Sequence, residues 1–240
     1  MFAWRGVIMQ ELTQIPLFQG LTAAEFAALH AMARIRRVPR AHYLFFEHEP
    51  ATHLYVLMSG WMRLIKVAHD GRQSLIRLVG PGDVVGISAI MQEQRYRLIA
   101  QAASLSLVLV WDHQSVLYML KHHPIIHENA LRVISQHLTD LEQQYVELAT
   151  ERVEQRIAHT LMRIIDRYGN VEQNQLQLDV GFSQHDLADL VGVTHYTISR
   201  VLSAWRSQQI LDFQRRKIIV FDLIRLCQKA GLLTDSDSAL

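Results

Sequence analysis

Apolar and polar positions along the chain change their period twice. From Ala41 to Asp112 the apolar residues fall into short β-rich runs: Tyr43–Phe46, Leu54–Met58, Met62–Val67, Ser74–Leu78, Val84–Gly86, Ile99–Ala102 and Leu105–Trp111. Turn formers separate them, at Pro50, Ser59-Gly60, Asp70-Gly71 and Gly80-Pro81-Gly82-Asp83. Asp-Gly between two such runs predicts a tight hairpin. Many short strands at regular spacing predict a closed or rolled antiparallel barrel. Ahead of this region, Gln10–Leu12 and Ala23–Arg34 read as short helices, the second capped at Leu21-Thr22. From Ile125 onward the period is helical. Leu131, Ile134, Leu138, Leu141, Tyr145 and Leu148 follow the 3-4-3-4-3 spacing of coiled-coil a and d positions. Asp140, Glu142, Gln143, Gln144 and Glu147 lie between them, and His137 falls near the same seam. One such face suits packing on the chain's own barrel or pairing with a second copy. Its persistence over about three repeats favours a parallel two-helix dimer. The phase breaks at Ala149-Thr150-Glu151, where a hinge is expected. A second helix then carries Val153, Ile157, Leu161, Ile164 and Ile165 on one face and stops at Tyr168-Gly169-Asn170.

The stretch Phe182 to Leu202, FSQHDLADLVGVTHYTISRVL, predicts two short helices joined by a tight turn. Leu187, Ala188, Leu190 and Val191 suit a packed face of the first. Gly192 falls where the chain must turn, and glycine reaches positive φ without steric cost. Val193 suits the joint, and Thr194 offers an N-cap hydroxyl to the second helix. With Ile198, Val201 and Leu202 facing inward, His195, Tyr196, Ser199 and Arg200 face out, and Thr197 lies in the first turn. A helix-turn-helix presents its recognition helix to a DNA major groove in this way. After it, Gln209-Ile210-Leu211 leads through Asp212 to Arg215-Arg216-Lys217 and the β-branched run Ile218-Ile219-Val220-Phe221, a hairpin with a cationic tip suited to phosphate contact.

Composition adds limits. A 50% hydrophobic content over 240 residues is ample for one large domain or two small ones. No apolar run is long enough to span a membrane. The start, MFAWRGVIMQELTQIP, lacks a clean signal-peptide cleavage site. The single cysteine, Cys227, rules out an intrachain disulfide and a four-cysteine site, and a reducing cytoplasmic setting fits. Net charge is +1, and residues 151–240 carry 11 Lys/Arg against 11 Asp/Glu, so overall balance says nothing about nucleic acid. Local placement does: from His195 to Lys217, four arginines and one lysine face Asp212 alone. No Walker motif, HExxH or GxSxG is present, and Gly80-Pro81-Gly82 has the wrong spacing for a dinucleotide fold, so an enzyme is not expected.

The order β-roll, long helix, hinge, winged helix-turn-helix resembles the CRP/FNR superfamily of bacterial transcription regulators from Ile15 to about Cys227. The resemblance is carried by Ile15-Pro16-Leu17-Phe18, Leu54 to Gly60, Gly80 to Gly86, Arg156-Ile157-Ala158 and Ser183 to Leu202. It implies an α+β chain: a cyclic-nucleotide-binding-like antiparallel β-roll in residues 1–124, a dimerisation helix in 125–150 and a DNA-binding domain in 151–240. It also implies a homodimer on double-stranded DNA with two-fold related half-sites roughly 34 Å apart, switched by an effector sensed in the roll. Ser183 and His185 match phosphate-gripping positions. Activation would need contact with RNA polymerase, and no motif marks one.

Several effector signatures of the family are missing. Where cAMP-binding members place a glutamate after the roll glycine, this chain has Gly86 then Ile87 and Ser88. Arg95-Tyr96-Arg97 covers the phosphate-binding region, with Arg97 a candidate for that role. On the long helix, Leu141-Glu142 replaces the threonine-serine pair that contacts adenine. Together these argue against cAMP. One cysteine excludes an iron–sulfur cluster. The cysteine and histidine ligands of the carbon-monoxide sensors are absent, as Gly86 and Ser88 stand in their places. Haem held by other residues stays open as the basis of a gas-sensing regulator, since 13 histidines and Met91 offer axial ligands. The cluster His122-His123-Pro124-Ile125-Ile126-His127 reads as a helix entry, and no metal site is assigned. A sensor module that binds no DNA is the remaining alternative; the basic tip and Arg200 argue against it.

Overall fold

The computed structural model describes residues 15–91, 95–172, 175–214 and 216–233, with the side chains of 170–172 and 175 left aside. The segment Gln10–Leu12 and the tail from Thr234 lie outside these. The described residues form two compact units, one ending at Leu141 and one beginning at Glu142, so the boundary falls within the long helix.

In the first unit a short 3-10 turn, Pro16–Phe18, precedes α1 (Ala23–Ala31). Thr22 caps α1: its hydroxyl accepts from Glu25 N–H while the Glu25 carboxylate accepts from Thr22 N–H, a reciprocal box. Those hydrogen bonds hold the Glu25 carboxyl below its usual range. The helix is shorter than the sequence reading. Arg34 belongs to β1 (Arg34–Val38), which pairs antiparallel with β8 and buries Val38 in the roll. The arginines at 34, 36 and 37 obscure its alternation, because an edge strand can expose most of its side chains.

The roll contains β1, β2 (Tyr43–Phe45), β3 (His53–Ser59), β4 (Met62–Val67), β5 (Gln73–Val79), β6 (Val84–Val85), β7 (Ile99–Ala102) and β8 (Ser106–Asp112). They make two antiparallel sheets, ordered β1-β8-β3-β6 and β2-β7-β4-β5. The seven expected runs lie within a residue or two of their strands. The Asp70-Gly71 turn joins β4 to β5, with Asp70 Oδ1 accepting from Arg72 N–H. At the Gly80–Asp83 turn the buried Asp83 accepts from Gly80 N–H at 2.9 Å.

Two apolar clusters result. One lies inside the roll, around Leu57, Met62, Val79, Tyr96 and Val108. The other covers its outside, where Phe18 packs on Phe26 and Trp111, and the Trp111 indole donates to the Leu29 carbonyl at 2.8 Å. A helix absent from the sequence reading, α2 (His113–His122), follows β8. Its signal is Asp112, whose carboxylate accepts from Ser115 N–H as N-cap. The long helix α3 (Ile125–Thr150) begins on this outer cluster through Ile126 and Ala130, and Asn129 donates to the carbonyls of Leu17 and Gln19.

Gly60 fixes the β3–β4 turn at φ +87°, and a Cβ there would meet the Leu105 carbonyl and stand 2.7 Å from Ser106 Cα. Gly60→Ala is expected to cost about 1–2 kcal/mol in conformation and about 1–3 kcal/mol in overlap. Urea unfolding should show a lowered midpoint with an unchanged slope.

The second unit holds the end of α3, then α4 (Val153–Tyr168), β9 (Asn170–Glu172), β10 (Gln175–Asp179), α5 (Gln184–Val191), α6 (His195–Ser207), β11 (Leu211–Gln214), β12 (Lys217–Val220) and α7 (Leu223–Lys229). β9, β10 and α7 are additions to the sequence reading; the alternation of Leu176 and Leu178 with Gln175, Gln177 and Asp179 marks β10. The sheet order is β11-β12-β10-β9. Gly169 does end α4, but in an extended conformation (φ −70°). What requires glycine is room: a Cβ would collide with the Ile165 carbonyl. Trp205 is fully buried, and its indole donates to Glu154 at 2.7 Å.

Candidate nucleic-acid interface and effector pocket

α5 and α6 owe their geometry to three local devices. Ser183 caps α5 and Asp186 returns the hydrogen bond, completing the box. Gly192 closes α5 at φ +72°, in the left-handed region. Thr194 caps α6, its hydroxyl accepting from Thr197 N–H at 3.2 Å. Ile198 and Leu202 are buried, and Val201 is half-buried. The opposite face therefore carries His195, Tyr196 and Arg200 into solvent, with Thr197 and Ser199 half-exposed beside them. Tyr196 is 75% exposed, so its ring is not part of the chain's own core. Ser183 and His185 are exposed at the start of α5, and the His185 and His195 rings lie 6.1 Å apart. The two helices thus bring these residues onto one surface.

β11 and β12 pair with Gln214 opposite Lys217, which leaves a two-residue turn. Arg216 takes φ +74° there, and its carbonyl accepts from Val180 N–H at 2.7 Å, tying the tip to the sheet. Arg215 lies outside the described residues. Phe213 packs edge-on against Phe182, and Gln184 donates to the Phe213 carbonyl, which joins the hairpin to α5. Asp212 is buried and paired with Arg206 at 3.4 Å. The local charge count changes accordingly: Arg206 is spent on Asp212, and the cations left for an anionic partner are Arg200, Arg216 and Lys217 among the described residues.

In the roll, Gly86 adopts φ +80°, and a Cβ on it would stand 2.9 Å from the His53 carbonyl oxygen and 3.2 Å from the rings of Tyr55 and Tyr96. The structure thus joins Gly86 to the Arg95–Arg97 segment through Tyr96, a residue the sequence reading passed over. Tyr96 stacks on Phe45 at 3.7 Å between centroids. Its hydroxyl donates to the His53 carbonyl at 2.8 Å and accepts from His53 N–H at 3.0 Å. Burial pushes the Tyr96 and Tyr55 phenols up. Arg95 donates to the His48 carbonyl at 2.6 Å, and Arg97 is exposed. Ile87 packs on the outer cluster, not among the rings of the interior. Ser88 is half-buried, and Leu141 and Glu142 are exposed on α3. No group of three or more His, Cys, Asp or Glu that could hold a metal occurs among the described residues, and Met91 is exposed on the surface.

Two family models divide the chain as the fold does. The cyclic nucleotide-binding domain matches residues 35–123, and the Crp-like helix-turn-helix domain matches residues 155–229. The chain belongs to the CRP/FNR superfamily of transcription regulators. Within that superfamily it is 26% identical over 219 residues to the CRP-like cAMP-activated global transcriptional regulator of Mycobacterium tuberculosis, covering 91% of this chain and 98% of the relative. It is 24% identical to the cyclic AMP receptor protein of Thermus thermophilus, over 82% of this chain and 88% of the relative. Among solved structures, FixK2 from Bradyrhizobium japonicum shares the fold with a TM-score of 0.75 at 24% identity, over 84% of this chain and 99% of that one. No helix among the described residues is long and apolar enough to cross a membrane.

Proposed function

We propose that this CRP/FNR regulator acts as a homodimer on two-fold related DNA sites, and that its roll responds to an effector other than cAMP. The observation that carries the DNA-binding part is the exposed face His195, Tyr196 and Arg200 on α6, flanked by the basic hairpin tip. Arg200 suits a bidentate contact to guanine O6/N7, Tyr196 a thymine methyl, and His195 a base acceptor or phosphate. Ser183, His185, Arg216 and Lys217 fit phosphate contacts, which orient without reading sequence. Selection from random DNA followed by a mobility shift tests this: a two-fold related consensus bound far more tightly than bulk DNA is expected. Uniform weak binding to all sequences would overturn it. Lys217→Ala is expected to weaken every sequence alike and lower the salt slope by about 1, measured by anisotropy over a salt series.

The effector part rests on Tyr96. Its ring lies against Gly86 and is stacked on Phe45, and its hydroxyl is held by the N–H and the carbonyl of His53. Arg95 is already engaged by a carbonyl, and no carboxylate follows Gly86 to hold a ribose hydroxyl. The cAMP that activates the Mycobacterium relative is therefore not carried over. Calorimetric titration of cAMP into the dimer is expected to give no saturable heat; a saturable isotherm would reverse this part alone.

A further inference from the structure

His185 lies in the first turn of α5 and His195 opens α6, on either side of the Gly192 turn. That turn brings the two exposed imidazoles to 6.1 Å between ring centroids, tilted by 46°. The His185 side chain is 68% exposed, so it is open to a partner. Both rings stand at helix starts, where an anion is favoured. The charged groups around them are few. On α5, Asp186 is buried and tied to Ser183 in the cap, which leaves Asp189, whose Oδ2 is 3.9 Å from His185 Nε2. An exposed pair at that distance contributes little. Asp189 also borders a hollow lined by Arg156 and Arg163 of α4, and Arg163 is matched by Glu147. On α6 and the hairpin, Asp212 is matched by Arg206, and Arg200, Arg216 and Lys217 supply positive charge.

We propose that His185 and His195 grip one backbone phosphate of bound DNA between them as a pair of imidazoliums, so that DNA binding takes up protons. This rests on the DNA-binding reading and adds a dependence on pH to it. Histidine changes its charge between about pH 5 and 8. Two imidazoliums side by side repel one another, but a phosphate between them attracts both. It also accepts a charge-assisted hydrogen bond from each. The complex therefore binds more protons than the free protein. By reciprocity, protons strengthen DNA binding by the factor by which DNA strengthens proton binding. Affinity for DNA thus rises as pH falls through the histidine range and is lowest when both rings are neutral. Arginine and lysine stay charged over that range, so the basic groups nearby set the salt slope and not the pH slope.

Fluorescence anisotropy on the full-length protein with the selected consensus, at fixed salt from about pH 8 to about pH 6, tests it. Affinity is expected to rise roughly tenfold over that range. His185→Gln combined with His195→Gln keeps a hydrogen-bonding side chain at each position but no titratable one, and is expected to hold the rise below about twofold. On the DNA side, phosphates are replaced one at a time by neutral methylphosphonate. The profile of the unaltered protein is expected to flatten at a single position in each half-site. A flat profile on unmodified DNA, a rise that survives the double substitution, or one that no single methylphosphonate removes would overturn the inference and leave the DNA-binding reading standing. No specific complex at any pH would overturn both. The methylphosphonate series needs no variant, so it decides the matter should the double substitution fail to fold.

Discussion

Arg200→Ala is expected to cost about 1–3 kcal/mol of specific binding, roughly 5- to 150-fold in affinity per half-site. The reasons are local. Arg200 is one turn beyond Tyr196 on the exposed face of α6, and the inward residues Ile198 and Leu202 fix that face by their burial. The helix starts at a capped threonine behind a left-handed glycine, so its rotation does not depend on Arg200. Alanine removes the guanidinium fork and leaves the helix intact. Specificity should relax at one base pair of each half-site while non-specific affinity changes little. Anisotropy with the consensus and with single-base variants measures this. A uniform drop on all sequences would instead assign Arg200 to the phosphate backbone, and no change would remove it from the interface.

The recognition unit was legible in sequence because its parts are local. Ser183, Gly192 and Thr194 each act on backbone within a few residues, and the 3.6 period of the apolar residues sets the outer face without reference to the rest of the fold. Seven of the roll's strands were legible for a similar reason, as their apolar runs are short and several are separated by turn formers such as Ser59-Gly60, Asp70-Gly71 and Gly80-Pro81-Gly82-Asp83. What was hidden depends on distant partners. β1 is a strand because β8 pairs with it; its own residues, Arg34-Ile35-Arg36-Arg37, follow a helix and invite its extension. Tyr96 sits between two arginines that draw attention as phosphate ligands. Only the folded chain shows that its ring meets Phe45, 51 residues earlier, and that Arg95 is turned to a carbonyl. Glu147 reads as a solvated position in the heptad but is buried against Arg163. Arg206 counts as a free cation in sequence, yet it is consumed by Asp212.

The double substitution Leu138→Asp with Leu141→Asp is expected to give a monomer and to abolish tight binding to a full two-fold site. Leu131, Leu138, Leu141, Tyr145 and Leu148 form a ridge along α3 that is 46–73% exposed. Five large apolar side chains on one helix face at a/d spacing are an anomaly for a surface left to water. In the proposed dimer, a second copy of the helix would cover this ridge with knobs-into-holes packing. The residues that would tie the face to the chain's own core are elsewhere on the helix: Ile126 and Ala130 enter the outer cluster, and Glu147 pairs with Arg163. Two carboxylates in the middle of the seam would face two more from the partner in a desolvated stripe, which opposes pairing without touching those anchors. Dimeric engagement makes the second half-site contact intramolecular, and its loss should lower affinity about 10²–10⁴-fold. Binding to an isolated half-site should stay the same, as should the far-UV circular dichroism. Sedimentation equilibrium and anisotropy on full and half sites separate the possibilities. A variant that still sediments as a dimer places the interface elsewhere. A monomer that retains full affinity for the two-fold site removes the dimer from the recognition mechanism.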